Sequence, residues 1–249
     1  MLSAAGIEEV GSSVDALFEE GASLETLNRQ RIHLVNHGDK ADLNGGRGLA
    51  RAWIVPADYT LTQVESRLLV ERVIHERAGL DERYRLAHVL LNPNVRRDYA
   101  MILIDTPPRM TLGTVNALVA SHYFVAPTIL DRVSSETVEP FLTQIEELKR
   151  DLELRLHLAG IVGTMTREIG LNDTELKYHD LIAATAKNML GSEKEWMVKQ
   201  NLPRKKQVTD QNDLGYFLSD GTGLLRERFY DAIFDELWEN IMMSQNHIT

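Results

Sequence analysis

The sequence predicts an α/β protein with a mostly parallel sheet flanked by helices. From the middle of the chain onward, short apolar runs alternate with longer amphipathic segments, which is the pattern of βαβ units. One apolar run, residues 99–105, ends in a carboxylate and is followed at once by a threonine and two prolines. With 249 residues, 43% of them hydrophobic, the chain can bury a full core. We therefore expect a single domain over residues 1–249.

Four apolar runs bounded by turn residues are predicted as strands. They cover residues 52–56, 100–105, 123–127 and 156–165. Apolar spacing of three and four residues predicts helices over 62–77 and 135–152. Asn172 and Glu175 have the spacing of a capping box and Gly191 that of a helix stop. Near the N-terminus we expect one or two short helices around Gly21, then a polar, glycine-rich loop over 37–48.

Composition excludes several classes of protein. A net charge of −10 and a pI near 5.3 argue against a globally basic nucleic-acid binder. The absence of cysteine excludes disulfides and thiolate metal sites and fits a cytoplasmic protein. The eight histidines show no zinc-binding spacing, and no apolar run is long enough to span a membrane.

The acid at the end of the predicted strand 100–105 has two interpretations. Asp105 could simply cap the following turn, since acids are common in loops. Alternatively, ligands of parallel sheets bind at the carboxyl ends of the strands, and a carboxylate there can stand near a phosphate-bound Mg²⁺. The rigid Thr-Pro-Pro turn after Asp105 favours the second interpretation, because each proline fixes the exit of the chain.

The stretch YAMILIDTPPRMTLGTVNALVASHYFVAP resembles the Walker B and switch II region of the ParA/MinD group of deviant-Walker P-loop ATPases. In that group an apolar strand leads into D-[CT]-P-P, a helix carrying N-A-L and a further apolar strand. The likeness extends over about residues 10–240, through GIVGTM and NLPRKKQV. The resemblance implies a P-loop NTPase-like fold that binds ATP and Mg²⁺ and hydrolyses ATP.

The resemblance also implies roles for particular residues. Asp105 would be the catalytic carboxylate that holds the water shell of Mg²⁺, and Thr106 and Pro107 would open the switch II segment that senses the γ-phosphate. Met165, Pro203 and Arg204 would lie near the adenine. Members of this group act as homodimers, and many bind DNA non-specifically and respond to a ParB-like or other activating partner.

The chain lacks two motifs of this family, and one of them is the acidic motif D-x-D-P-Q that follows the family's second strand. The phosphate-binding loop G-x-x-x-x-G-K-[ST] does not occur in it, and neither does any Gly-Lys pair. We therefore expect a fold whose first strands are missing, with unpaired neighbours and exposed apolar faces. Truncation, a mis-set start and a pseudoATPase remain alternatives, and a non-catalytic interaction module that keeps the dimer and partner surfaces is the second functional hypothesis.

Two further features bear on partners. A basic stretch near the C-terminal third fits either DNA phosphates or a solvated loop, and its members include Lys199, Arg204, Lys205 and Lys206. An apolar stripe in the last helix contains Leu225, Phe229, Ile233, Leu237 and Ile241, with Tyr230, Phe234 and Trp238 beside it. Acidic residues line its polar face, which is the wrong charge for anionic lipid, so we expect this helix to pack on the core and no membrane partner.

Overall fold

The structure is a computed structural model, which describes residues 13–33, 52–57, 60–74, 81–191, 194–204 and 230–245. It divides into two compact units, and the described residues change from the first to the second between Ser121 and His122. The predicted glycine-rich loop at 37–48 lies outside the described residues.

The first unit begins with a short 3₁₀ helix, Val14–Phe18, and the helix α1, Leu24–Gln30. Ser13 caps the 3₁₀ helix by accepting a hydrogen bond from the Asp15 amide. Gly21 adopts a φ of 82° between the two helices, a value that side chains with a Cβ rarely adopt. The expectation of one or two short helices around this glycine is confirmed, and there are two.

Two short strands follow, β1 (Ile32–His33) and β2 (Trp53–Ile54), and they pair antiparallel. The strand predicted at 52–56 is therefore present but shorter, and its partner β1 was not predicted. Helix α2 spans Thr60–Ile74, close to the predicted 62–77. It packs against the 3₁₀ helix and the later helix at residues 112–120.

The remainder of the first unit is helical. A 3₁₀ turn, Glu82–Tyr84, leads into α3 (Arg85–Leu90) and α4 (Pro93–Asp98), and α5 covers Leu112–Ala120. Asn116 on α5 is completely buried. Its side-chain oxygen accepts a hydrogen bond from the Leu86 amide (3.0 Å), and its nitrogen donates to the carbonyl of Glu82 (2.8 Å). This side chain ties α5 to the start of α3.

The prediction of a strand at 100–105 is wrong. The segment has no regular secondary structure and belongs to no sheet, and among the described residues no backbone hydrogen bond reaches positions 100–106. Most of its apolar side chains are exposed, and Leu103 keeps 86% of its surface in solvent. A strand requires a neighbour that satisfies its backbone groups, and the described part of the first unit supplies none here.

The second unit contains a parallel sheet in the order β3-β4-β5. Its strands are β3 (Tyr123–Ile129), β4 (His157–Thr166) and β5 (Leu202–Pro203). The predicted strands 123–127 and 156–165 are confirmed with small shifts at their ends. Among the described strands β3 lies at one edge of this sheet, and its Val125 and Ile129 are exposed.

Helices cover both faces of this sheet. α6 (Arg132–Asp151) and α7 (Asp173–Leu190) pack together over the face that contains Ile161. The capping box of Asn172 and Glu175 and the left-handed Gly191 bound α7 as predicted. Successive strand residues point to opposite faces, and Val162 accordingly packs against the last helix, α8 (Ala232–Gln245). The α/β class is confirmed.

The expectation that the apolar stripe of the last helix packs on the core is only partly correct. Ile233 is buried and Leu237 half-buried against the sheet, but Phe234 and Trp238 are exposed. Leu225 and Phe229 lie outside the described residues. A helix that lies on a sheet buries only the side chains on its inner side. The apolar residues of this helix extend around more of its circumference than that.

Among the described helices, none combines the length and the apolar character that crossing a membrane requires.

Candidate functional site

Asp105 lies on the irregular segment of the first unit that precedes α5. Its side chain is exposed, and within the described part of the chain its carboxylate makes no hydrogen bond or ion pair. A carboxylate that the surrounding protein does not use can bind a ligand without breaking an existing contact. Thr106 and Pro107 follow it and are exposed as well.

The turn after Asp105 is held in place at its C-terminal end. The Arg109 amide donates to the carbonyl of Pro107 (2.8 Å), and the Thr114 hydroxyl donates to the carbonyl of Arg109 (2.7 Å). Thr111 caps α5 by accepting a hydrogen bond from the Thr114 amide (3.3 Å). The Thr-Pro-Pro-Arg turn is therefore fixed to the start of α5, whereas the described residues provide no such bonds to the backbone at Asp105.

A carboxylate that sequence reasoning missed occupies the N-terminus of α5. The Gly113 amide donates to Oε1 of Glu65 on α2 at 2.6 Å, and the positive end of the helix dipole favours a negative charge there. A Cβ at Gly113 would come within 2.7 Å of the same oxygen. The two positions are 48 residues apart, so no local sequence pattern could reveal the contact. The one indication in the sequence was a glycine in the first turn of a helix.

In the second unit, the residues predicted to contact the base lie together at the carboxyl ends of β4 and β5. Pro203 is in register with Thr166, and the Arg204 amide donates to the Thr166 carbonyl at 2.9 Å. Met165 is exposed with a φ of 57°, in the left-handed region where side chains other than glycine are uncommon. Such sheet edges are where α/β proteins bind ligands.

The residues predicted to contact nucleotide thus form two groups, one in each unit. The first contains Asp105, Thr106 and Pro107, and the second contains Met165, Pro203 and Arg204. The resemblance assigned the first group to the metal and the γ-phosphate and the second to the base. The side chains of both groups are exposed, with the exception of Pro203, which is buried.

The oxygen ligands of the site could serve the Mg²⁺ of a magnesium nucleotide. The described residues contain no group of three or more histidine, aspartate or glutamate side chains that could enclose a metal. Mg²⁺ does not need one, because it keeps several waters and is held by one or two carboxylates together with substrate phosphates. The exposed Asp105 carboxylate fits this outer role. The 249 residues contain no Gly-Lys pair of the kind that a phosphate-binding loop carries.

The basic stretch is described only in part. Lys205 and Lys206 lie outside the described residues. Lys199 and Arg204 are exposed, and the Lys199 amide donates to Oε2 of Glu236 on α8 (3.0 Å). The Lys194 ammonium lies 4.8 Å from the centroid of the Trp196 ring, and burial lowers the pKa of Lys194. The exposed side chains of Lys199 and Arg204 are available for phosphate contacts.

Comparison with known proteins shows what this chain is similar to. A family model described as an AAA domain matches residues 42–158. The chromosome partitioning protein ParA of Caulobacter vibrioides is 31% identical over 114 residues, which cover 45% of this chain and 39% of that protein. The sporulation initiation inhibitor protein Soj of Bacillus subtilis is 25% identical over 163 residues, 64% of this chain and 58% of Soj. Over this part of its length the chain is similar to ParA-type partitioning proteins.

Solved structures agree on the fold of this ParA-like chain. The apo form of McdA from Cyanthece superposes with a TM-score of 0.68 at 13% identity, covering 96% of this chain and 82% of McdA. Cobyrinic acid a,c-diamide synthase from Mycobacterium smegmatis, solved with bound ADP and magnesium, gives a TM-score of 0.53 at 19% identity and covers 88% and 73% of the two chains. The ParA-like chain spans less than two thirds of the length of ParA and of Soj.

Proposed function

We propose that this chain acts in a ParA-type system that partitions plasmids or chromosomes, or positions another cellular structure, in the cytoplasm. In this proposal it works as a single ATPase domain that forms an ATP-dependent homodimer and binds DNA non-specifically. The observation that carries the proposal is the exposed carboxylate of Asp105, which stands immediately before a turn anchored to α5. The names of the relatives support the biological process.

Each group of residues has a role in this proposal. Asp105 would hold the water shell of Mg²⁺, whose positive charge offsets the charge on the phosphates. Thr106 and Pro107 would report the state of the γ-phosphate to α5, since the turn that follows them is bonded to the first turn of that helix. Met165, Pro203 and Arg204 would contact the base from the edge of the parallel sheet.

The proposed partners are those that the resemblance to ParA-type proteins implies. Lys199, Arg204, Lys205 and Lys206 would supply the cationic contacts to DNA phosphates, which need no particular base sequence. A ParB-like protein or another activator would stimulate hydrolysis and reopen the dimer.

A non-catalytic interaction module is the second candidate, and one observation favours it. The 249 residues contain no Gly-Lys pair, which a phosphate-binding loop requires. In this case the chain would keep its partner surfaces without hydrolysing ATP.

The test uses a fusion in which a strand and a G-x-x-x-x-G-K-[ST] loop precede Met1. We expect Asp105→Asn in this fusion to lower Mg²⁺-dependent phosphate release by about a hundredfold or more, because metal positioning contributes several kcal/mol to such reactions. Asp98→Asn is the matched control, since Asp98 is an exposed carboxylate at the end of α4 that pairs with the neighbouring Arg97 (3.3 Å).

The outcomes separate the two candidates. Loss of hydrolysis in Asp105→Asn with normal hydrolysis in Asp98→Asn supports the ATPase. Equal rates in the fusion and in Asp105→Asn would remove Asp105 from the site. A folded fusion that binds Mg-ATP and never releases phosphate would favour the interaction module.

A further inference from the structure

The last helix, α8, has an outer face that the sheet does not cover. Its inner face is fixed to the sheet: Leu237 lies so close to Gly160 that a Cβ there would come within 2.8 Å of it. Asn240 donates to the carbonyl of Ala159 (2.9 Å), and the Tyr123 hydroxyl lies 3.1 Å from that of Ser244. These contacts settle the rotation of α8 about its axis, so the residues on its other side point away from the sheet.

The outer face carries large apolar side chains at a spacing of four residues. Phe234, Trp238 and Met242 keep 52%, 43% and 44% of their surface exposed; together they form the aromatic stripe. The rings of Phe234 and Trp238 stack with centroids 6.1 Å apart and an angle of 10° between their planes. Two aromatic rings held against each other lose little conformational freedom on binding, and aromatic and methionine side chains are enriched at interface cores.

Acidic residues border the aromatic stripe. Asp235 and Glu239 are exposed, and within the described part of the chain neither carboxylate has a hydrogen-bond or ion-pair partner. The third acid of this helix, Glu236, is engaged by the Lys199 amide. The stripe therefore has an apolar centre and a negatively charged border.

The negative charge around the aromatic stripe favours one kind of binding partner. Anionic lipid would be repelled by Asp235 and Glu239. A second copy would bring Asp235 and Glu239 of both copies to one interface, and like charges across an interface cost binding energy. A basic amphipathic helix satisfies both parts of the surface, since its apolar side chains would cover the rings while lysine or arginine would pair with the acids. Methionine adds an adaptable apolar surface of the kind that accepts such helices.

We propose that the aromatic stripe of α8, formed by Phe234, Trp238 and Met242 and bordered by Asp235 and Glu239, is a docking site for a basic amphipathic helix of a partner protein. The inference does not depend on nucleotide binding or hydrolysis. It concerns a face of α8 that the sheet does not cover.

The experiment measures binding of a fluorescein-labelled helical peptide to the full chain. The probe is a peptide of about 18 residues, long enough to form a helix, with leucine at helical spacing and lysine elsewhere. A peptide in which glutamate replaces lysine is its control. Fluorescence anisotropy at two salt concentrations gives the affinity and its electrostatic part, and circular dichroism verifies that every variant is folded.

Two pairs of variants test the two parts of the surface. Phe234→Ser with Trp238→Ser should weaken binding at least about tenfold, because buried aromatic anchors dominate such interfaces. Leu181→Ser, at a position of α7 that is 47% exposed, should leave binding within about twofold. Asp235→Lys with Glu239→Lys should weaken binding of the lysine peptide about tenfold and improve binding of the glutamate peptide.

Three further measurements ask whether net charge, lipid or self-association accounts for the binding. Glu139→Lys with Glu147→Lys makes the same charge change on exposed positions of α6. An equal loss of affinity there would show that the peptide senses net charge, and the proposal would be wrong. It would also be wrong if vesicles of anionic phospholipid bound the chain through Phe234 and Trp238, or if light scattering showed a dimer that the serine variants dissociate. Loss of peptide binding confined to the α8 variants supports the proposal.

Discussion

Asn116 shows how one side chain can organise a helical unit. It is fully buried, accepts a hydrogen bond from the Leu86 amide and donates to the carbonyls of Glu82 and Leu112. The side-chain amide thus uses both its oxygen and its nitrogen, at the point where the chain enters α3. Such a group stabilises the fold because the buried Leu86 amide would otherwise lack this hydrogen-bond partner.

Asn116→Ala should therefore lower the free energy of unfolding by about 2–4 kcal/mol, since it leaves the buried Leu86 amide and the partly buried Glu82 carbonyl without this partner. Urea denaturation followed by circular dichroism measures this change, with the slope of the transition expected to stay constant. Asn94→Ala, at an exposed position of α4, is the control and should change stability by less than about 0.5 kcal/mol. Equal stabilities of the two variants would contradict the role given to Asn116.

At the residue scale, local motifs were predictable and long-range contacts were not. The Asp-Thr-Pro-Pro turn and the cap of α7 are defined by adjacent residues, and both could be identified in the sequence. The pairing of Glu65 with the Gly113 amide joins α2 to α5, so it depends on how two helices pack. Nothing within a few residues of either position encodes that contact.

Among the elements, the amphipathic helices and the paired strands were predicted best. α6 and α7 have apolar residues at helical spacing, and β3 and β4 are apolar runs that pair as neighbours. The two-residue strands β1 and β5 are too short to produce a pattern. The segment 100–105 has the composition of a strand, yet composition cannot supply the neighbouring backbone that makes a strand.

The basic stretch gives a prediction at the scale of an element. If it contacts DNA, replacing Arg204, Lys205 and Lys206 with alanine should weaken binding to DNA of any sequence. The slope of log K against log salt should also decrease, by roughly 0.9 for each phosphate that the protein no longer contacts. Anisotropy with labelled duplexes of two unrelated sequences over a range of salt concentrations measures both effects.

The matched control for this triple variant removes three exposed basic residues from α6 and α7. Arg150→Ala, Lys177→Ala and Lys187→Ala make the same change in net charge and should leave the slope nearly unchanged. The same decrease in both triple variants would show that DNA responds to the overall charge, and the assignment of the stretch to DNA would be wrong. Because Arg204 is also placed near the base, affinity for Mg-ATP is measured in parallel.

For the whole molecule, the question is whether residues 1–249 alone suffice to bind ATP. Most of the affinity of a P-loop site comes from backbone amides, a helix N-terminus and a lysine that converge on the phosphates. These residues offer a carboxylate at Asp105 and a sheet edge at Met165 and Arg204. A carboxylate repels a triphosphate unless Mg²⁺ stands between them, and Mg²⁺ relies on the phosphates for its own placement.

We therefore expect residues 1–249 to show no saturable binding of Mg-ATP at about millimolar nucleotide, the range in which a site without phosphate contacts is too weak to fill. Isothermal titration calorimetry on the purified chain is the measurement, and the fusion that carries a G-x-x-x-x-G-K-[ST] loop is the positive control. A micromolar isotherm from the chain alone, weakened by Asp105→Asn, would contradict this prediction. It would mean that these residues, with Asp105 among them, bind the phosphates in a way that no P-loop motif describes.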